Sequence, residues 1–377
     1  MAQHERMAEL GPQALLDLLL AQLDEPDTGA TGWRLDWSKV SPAAREAWRA
    51  ELPPRVGFRT SGSVQRQPRQ WWRTQTQLIQ EVDLLRGIAA LDTVDGVISF
   101  APACHLYGWL FTVLIPNVLG VPVWYEAPGP DASFGYPGIE HPLLAMIPSA
   151  WSALRRHLEG GGPPLTPGAV AVHSTALLPA AARALIGGPL APDLVAVELF
   201  GSTETGLVAV RWWSPGRDRD WELAGDVSFA GMAADGREEQ LRVASPRLAS
   251  DGPAAPPDDF VMDDWVQVSG DRRFTFGGRR TRIVNVNGRR IDLDGVEEKL
   301  RAALAVADLA CVPVTDPIRG EHYELLVVPL PGTTTTELRP AVRRLIGPPR
   351  PGRIRLVESI DRSPTGKLRR VQPPHLA

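Results

Sequence analysis

The sequence predicts an α/β protein: a large N-terminal layered α/β domain carrying a small β element, followed by a small C-terminal α+β domain. Three observations predict it. From about Leu78 to Phe200, apolar runs of strand length alternate with helical stretches, the pattern of a layered and largely parallel sheet. After Phe200 the strand-like runs are separated by turns rather than helices. Beyond Arg279 the helix and strand signals return on a smaller scale, over about 100 residues, a usual domain length.

Taken in order, a helix is predicted from Trp71 to Ala90, then a strand at Gly96 to Phe100. Leu106 to Tyr125 carries no charged residue, but Gly108, Pro116, Asn117, Gly120 and Pro122 interrupt it. It therefore reads as a buried helix (Leu106 to Leu119), a turn and a buried strand (Pro122 to Tyr125), not a membrane span. Strands follow at Leu144 to Ile147, Ala169 to His173 and Leu194 to Leu199, with helices at Ala150 to Leu158 and Pro179 to Ile186 between them. The small β element comprises Leu207 to Trp213, Asp226 to Phe229, Leu241 to Ala244, Trp265 to Val268 and Arg273 to Phe276. The last module holds a strand at Ile283 to Val286, a helix at Leu293 to Leu304 with Glu297, Glu298 and Lys299 exposed, strands at Ala310 to Pro313 and Tyr323 to Val328, a helix at Thr336 to Ile346 and a strand at Ile354 to Val357. These divide the chain into residues 1–278 and 279–377.

Composition excludes several classes. Forty Lys+Arg against 44 Asp+Glu give a net charge of -4, so no global charge favours nucleic acid. A hydrophobic content of 44% excludes general disorder. Cys104 and Cys311 form neither a disulfide framework nor a zinc site, which suits a reducing, cytoplasmic setting. The N-terminus has mixed charge, and its leucine-rich stretch is broken by Asp17, so it reads as an amphipathic helix rather than an export signal. Only three of the forty cations are lysines, Lys39, Lys299 and Lys367.

Four short motifs carry chemistry. Thr60-Ser61-Gly62-Ser63 groups hydroxyls around a glycine, where backbone and side-chain donors can surround phosphate oxygens. Phe200-Gly201-Ser202-Thr203-Glu204-Thr205-Gly206 directly follows a buried strand, and ligand sites collect at the carboxyl ends of parallel strands. Its single carboxylate among hydroxyls suits a magnesium ion that bridges phosphates. Ser363-Pro364-Thr365-Gly366-Lys367 presents one lysine from a turn, a point charge for phosphate and carboxylate oxygens. Gly278-Arg279 and Asn287-Gly288-Arg289-Arg290 offer guanidinium donors at the domain boundary. Each string alone is also what a turn or a solvated basic tail looks like.

Their order and spacing resemble the adenylate-forming superfamily of acyl-CoA synthetases, adenylation domains and luciferases, from about Phe58 to Arg370. His105-Leu106-Tyr107-Gly108-Trp109-Leu110-Phe111 is similar to a stretch of its short stand-alone aryl-acid and acyl ligases. The resemblance implies a large domain that binds ATP, Mg2+ and a carboxylic acid, and a mobile C-terminal lid. It implies that Thr60, Ser61, Gly62 and Ser63 contact the β- and γ-phosphates, with Thr203 on the α-phosphate and Glu204 on magnesium. Phe200 with Gly201 and Ser202, and Thr175 with Ala176, would lie by the adenine. Asp264 would hold the ribose, Arg279 would reach ribose or phosphate, and Lys367 would bridge the acid and ATP. His105, Tyr107 and Gly108 would line the acid pocket. The acyl group would pass to CoA or to a phosphopantetheine thiol, with an acyl carrier protein as a candidate partner. Alternatives are a non-thiol acceptor (an amine or nitrite) and a non-catalytic nucleotide- or acyl-binding relative. The chain departs from the family at Val64 and Gln65, which replace a Thr-Gly pair; at Arg69, which stands where a lysine is usual; at Thr281, in the hinge position; at Met262-Asp263, before Asp264; and in its short N-terminal stretch.

Overall fold

The computed structural model describes residues 7–24, 32–59, 69–89, 91–126, 134, 138–176, 178–214, 220–279, 282–286, 289–316, 320–330, 332–362 and 368. It divides into two compact units. One consists mainly of residues up to Gly231 together with Arg242–Phe260; the other comprises Met232–Leu241 and Val261–Ser363.

In the first unit, β1 (Ala8–Glu9), α1 (Pro12–Asp24), β2 (Trp33–Asp36) and α2 (Pro42–Glu51) precede the hairpin β3 (Arg55–Arg59) and β4 (Gln70–Thr74). Next come α3 (Gln75–Ala89), β5 (Gly96–Ser99), the short helical turn α4 (Leu106–Gly108), a π-helical segment (Trp109–Leu114) and α5 (Ile115–Leu119). β6 (Pro122–Tyr125), β7 (Pro142–Met146), α6 (Pro148–Glu159), β8 (Val170–His173), α7 (Ala180–Leu185), β9 (Val195–Ser202), β10 (Gly206–Trp213) and β11 (Trp221–Leu223) follow. The sheet order is β1-β2-β6-β5-β7-β8-β9-β10-β11. Its centre, β6-β5-β7-β8-β9, is parallel. Those strands are short apolar runs because helices cover both faces: every residue of β5 and β7 is buried. β10 then turns back antiparallel on β9.

The predicted helix from Trp71 begins later. Gln70–Thr74 is a strand, paired on one side with β3 and on the other with β14 (Ser250–Asp251), and the helix starts at Gln75. The start is fixed by reciprocal capping: the Thr74 amide donates to Gln77 Oε1 at 3.0 Å and the Gln77 amide to Thr74 Oγ1 at 3.2 Å. β12 (Ser228–Phe229) pairs with β13 (Glu238–Ala244).

In the second unit, β15 (Phe260–Val268) and β16 (Arg273–Arg279) are antiparallel, with Asp264 opposite Arg279. The hairpin β17 (Ile283–Val286) and β18 (Arg289–Asp292) leads into α8 (Leu293–Ala303), capped by Asp292. β19 (Asp308–Asp316), β20 (Gly320–Val328) and β21 (Ile354–Leu356) form a sheet, with α9 (Thr335–Leu345) between the last two. Leu293, Leu300, Leu309, Tyr323, Leu325 and Leu338 build its core. Glu297, expected at the surface, is buried: its Oε1 accepts from Arg282 Nη2 at 2.6 Å and from the Cys311 amide at 2.7 Å. Among the described residues, no helix is long and apolar enough to cross a membrane.

Candidate active site

Among the described residues, Thr175 and Ala176 follow β8, and Phe200 to Ser202 end β9 with Thr203 and Glu204 just beyond, at the carboxyl edge where parallel sheets place ligands. β9 ends in Phe200, Gly201 and Ser202, and Thr203, Glu204 and Thr205 turn the chain into β10. The turn is closed from within. The Ser202 amide donates to Thr205 Oγ1 at 3.1 Å, and the Thr205 amide donates to Ser202 Oγ at 3.3 Å. Thr203 and Glu204 lie at its tip, half-buried. Both flanking glycines are required. A Cβ on Gly201 would lie within 2.0 Å of the Gly206 carbonyl oxygen, and Gly206 has a φ of 70°. Phe200 packs edge-on against Trp221, ring centres 5.2 Å apart.

The Thr175–Ala176 stretch lies beside this turn because β8 neighbours β9, and Ser174 Oγ donates to the Leu199 carbonyl at 3.4 Å. Thr175 has a φ of 79°, a region a threonine adopts at a cost. Two buried side chains hold the stretch there. His173 Nδ1 accepts from Trp151 Nε1 at 3.1 Å, so the ring is protonated on Nε2, which donates to the Ala176 carbonyl at 3.0 Å. Glu198 Oε1 accepts the Leu178 amide at 2.8 Å, while its Oε2 takes Arg211 Nη2 at 2.7 Å and Trp213 Nε1 at 2.7 Å. His173 and Glu198 thus position the stretch from below.

Tyr107 and Gly108 reach the same edge. The Tyr107 hydroxyl donates to the Val172 carbonyl at 2.7 Å, near the end of β8. Burial raises the Tyr107 pKa well above the ordinary tyrosine value, and its hydrogen bonding near Met146 offsets little of that. Gly108 lies so close to the Pro102 carbonyl oxygen that a Cβ would come within 1.9 Å of it. His105 precedes the helical turn, and its carbonyl accepts the Trp109 amide at 2.8 Å.

Beneath the Thr203–Glu204 turn lies a buried ionic cluster with no counterpart in the sequence motifs. Arg73 Nη2 donates to the Thr203 carbonyl at 3.0 Å. Glu81 Oε1 accepts the Leu207 amide at 2.8 Å. Arg247 Nη2 donates to the Leu207 carbonyl at 2.7 Å, and its guanidinium pairs with Asp226 at 2.7 Å. Glu81 Oε2 lies 3.6 Å from Arg73 Nη1 and 3.3 Å from Arg247 Nη1. Burial lowers the Arg73 pKa to about 10, against the opposing charges of Glu81 and Glu204.

In the second unit, alternation along β15 turns Met262, Asp264, Val266 and Val268 inward. Asp264, not Asp263, is therefore the buried carboxylate. Thr60, Ser61, Gly62, Ser63 and Lys367 lie outside the described residues, as does hinge-position Thr281. The flanks of two of these segments are described. Residues 60–68 connect Arg59 to Arg69, and Arg69 is exposed and 4.0 Å from Asp251. The segment that includes Lys367 is closed by a bridge between Arg362 and Leu368.

The donors at the turn fit magnesium and a nucleotide. Hydroxyl and carboxylate oxygens are the ligands a hard cation takes, and magnesium is ordinarily held by one or two carboxylates plus substrate phosphates. Among the described residues no three His, Cys, Asp or Glu side chains cluster to cage a metal by themselves. Glu204, with Ser202 and Thr203 beside it, would hold the ion, which would supply charge neutralisation at the phosphates.

Comparison with known proteins agrees with this architecture. Residues 295–367 match the AMP-binding enzyme C-terminal domain. The chain is 30% identical over 258 residues to a 4-coumarate–CoA ligase of Halorhodospira halophila, covering 67% of this chain and 58% of that protein. It is 28% identical over 316 residues to the 4-coumarate–CoA ligase of Rhodobacter capsulatus, covering 79% and 73%. Its fold matches the O-succinylbenzoate–CoA synthetase of Bacillus subtilis, solved with ATP and a magnesium ion, with a TM-score of 0.65 at 14% identity over 83% of this chain and 68% of that one. The fold is that of the adenylate-forming enzymes. The chain is similar in sequence to these CoA ligases and spans 58% of the length of the first of them.

Proposed function

We propose that the protein activates a carboxylic acid, aryl or unsaturated, as an acyl-adenylate and passes the acyl group to a thiol of CoA or of a carrier protein. The observation that carries this reading is the hairpin at Phe200–Gly206. It presents two hydroxyls and a carboxylate at the carboxyl edge of the parallel strands, next to Thr175 and Ala176. In this reading a carboxylate oxygen of the acid attacks the α-phosphorus, the bond to the β-phosphate breaks and pyrophosphate leaves. Thr203 binds the α-phosphate and Glu204 the magnesium ion. Thr60, Ser61, Gly62 and Ser63 bind the outer phosphates; Phe200, Gly201, Ser202, Thr175 and Ala176 hold the adenine; Asp264 and Arg279 hold the ribose. Lys367 offsets the charge that builds between acid and phosphate. The thiol then attacks the acyl carbon and AMP leaves. His105, Tyr107 and Gly108 shape the acid site, and residues 279–377 act as the lid. Both cysteines are unbridged, in keeping with a reducing cytoplasm.

The test is pyrophosphate release with Mg·ATP and a panel of aryl and unsaturated acids, run beside Lys367→Ala. Acid-dependent release that falls by about 100-fold or more in the variant, the size expected for losing one charge-stabilising group, supports the reading. No release with any acid, or identical behaviour of the variant, leaves a binding protein instead. Adding CoA, carrier protein, amine or nitrite separately then identifies the acceptor.

A further inference from the structure

Arg73 lies on β4, the strand that leaves residues 60–68, and its guanidinium reaches across to the turn that presents Thr203 and Glu204. Two of its nitrogens donate to the Thr203 carbonyl, at 3.3 and 3.0 Å, and a third donates to the Arg247 carbonyl. It is completely buried. A cation this far from water is costly to hold, and it persists because Glu81 lies 3.6 Å away and Glu204 is near enough to act on it electrostatically. Glu81, on α3, accepts the Leu207 amide just past the turn, so the turn is gripped on both sides: Arg73 at Thr203 and Glu81 at Leu207. Arg247 completes the frame at the Leu207 carbonyl.

We propose that Arg73 is a positioning residue, which locks the Thr203–Glu204 turn to β4 so that Thr203 and Glu204 are held rigid for Mg·ATP. The proposal rests on the reading of the site given above. Arg73 has no need to touch the nucleotide. Its planar fork spans one carbonyl with two donors while reaching a second carbonyl, and an ammonium cannot reproduce that geometry. A lysine at this position keeps the charge and loses the lock.

The test compares Mg·ATP binding to the full chain and to Arg73→Lys by calorimetry across a magnesium titration, with acid-dependent pyrophosphate release in parallel. The expected result is a variant that still melts cooperatively, binds Mg·ATP at least 10-fold more weakly, needs more magnesium for half-maximal binding and keeps its KM for the acid within about twofold. A folded variant with unchanged Mg·ATP affinity and magnesium requirement overturns the proposal. So does a variant whose only change is a lower fraction of active protein. A wild-type chain that binds no Mg·ATP overturns the underlying reading itself. Hydrogen exchange on the wild-type protein gives a second measurement that does not depend on the variant folding. Mg·ATP is expected to protect peptides covering 70–75 and 200–208 together, and protection of one without the other overturns the coupling.

Discussion

Arg362 Nε donates to Asp308 Oδ2 at 2.6 Å, and through that bond the strand β19 holds the base of the segment that carries Lys367. Arg362 Nη2 adds the Leu309 carbonyl at 2.9 Å, and Arg301 pairs with the same carboxylate at 2.7 Å. Burial works to raise the Asp308 pKa, but the Arg362 hydrogen bond and the charges of Arg301 and Arg362 outweigh it and hold the group below its ordinary value. A depressed carboxylate contributes stability above its unfolded pKa, about 3.9, and loses it as pH falls through the folded value. Asp308→Asn is therefore expected to cost about 1–2 kcal/mol at pH 7, a modest figure because both side chains keep 24% exposure. The difference from wild type is expected to shrink below about pH 4. Melting curves at pH 7 and pH 3 check this; a difference that grows toward acid contradicts it. Adenylation is expected to fall more than stability, because the base of the lysine segment is loosened.

Two variants separate the contributions of the Tyr107 hydroxyl and ring. The hydroxyl is committed to the Val172 carbonyl, and burial raises its pKa well above the ordinary tyrosine value. Tyr107→Phe is expected to cost about 1 kcal/mol of stability, the value of one neutral hydrogen bond. The same variant is expected to leave kcat/KM for the acid within about threefold, under about 0.7 kcal/mol. Tyr107→Ala, which also removes the ring that packs 4.9 Å from Phe111, is expected to lose far more of both. A large kcat/KM loss in Tyr107→Phe at unchanged stability would show instead that the hydroxyl meets the acid.

Gly206 and Gly231 form a natural control pair. Their φ values are 70° and 71°, so a side chain at either costs about 1 kcal/mol in backbone strain. A Cβ at Gly231 meets nothing within 4 Å, whereas at Gly206 it would lie 2.6 Å from Glu81 Oε2, 3.0 Å from Arg247 Nη1 and 3.1 Å from Arg73 Nη1. Gly231→Ala is therefore expected to cost about 1 kcal/mol and Gly206→Ala at least about 3 kcal/mol, the excess being displacement of a buried ion pair. Equal costs measured by denaturant unfolding would mean that the ionic cluster yields without penalty.

How far the sequence reveals all this depends on sequence separation. The turn Phe200–Gly206 is legible because its two glycines, its hydroxyls and its carboxylate are contiguous and follow an apolar strand. The sheet is legible because β5 and β7 are buried on both faces and so leave unbroken apolar runs. The start of α3 is misplaced by the sequence reading: the helix is expected from Trp71 because two bulky tryptophans read equally well as helix or strand, and the Thr74–Gln77 pair, three apart as in a capping box, is the signal that marks the true start. The grip of Arg73 on Thr203 spans 130 residues and that of Arg247 on Asp226 spans 21. In a chain with 37 arginines, nothing local marks those two as buried. Glu297 follows the same logic. Helix position alone sets it at the edge of the apolar face beside Val296 and Leu300, and only the arrival of Arg282 and the Cys311 amide brings it inside.

His173 was likewise visible only as a residue at the end of a strand, and its function in the structure yields the last prediction. One ring nitrogen accepts from Trp151 and the other donates to the Ala176 carbonyl, so the ring ties α6 to the stretch that holds Thr175 at a φ of 79°. His173→Phe keeps the ring volume and removes both bonds. It leaves the Trp151 N–H buried without its acceptor and frees the Ala176 carbonyl, which together are expected to cost about 2–4 kcal/mol. With the tie gone, Thr175 can relax to negative φ and draw Ala176 away from Phe200. The KM for ATP is then expected to rise by about 10-fold or more, about 1.4 kcal/mol, while the KM for the acid stays nearly constant. If the variant is destabilised as expected but its ATP KM is unchanged, Thr175 and Ala176 do not contribute to the nucleotide site.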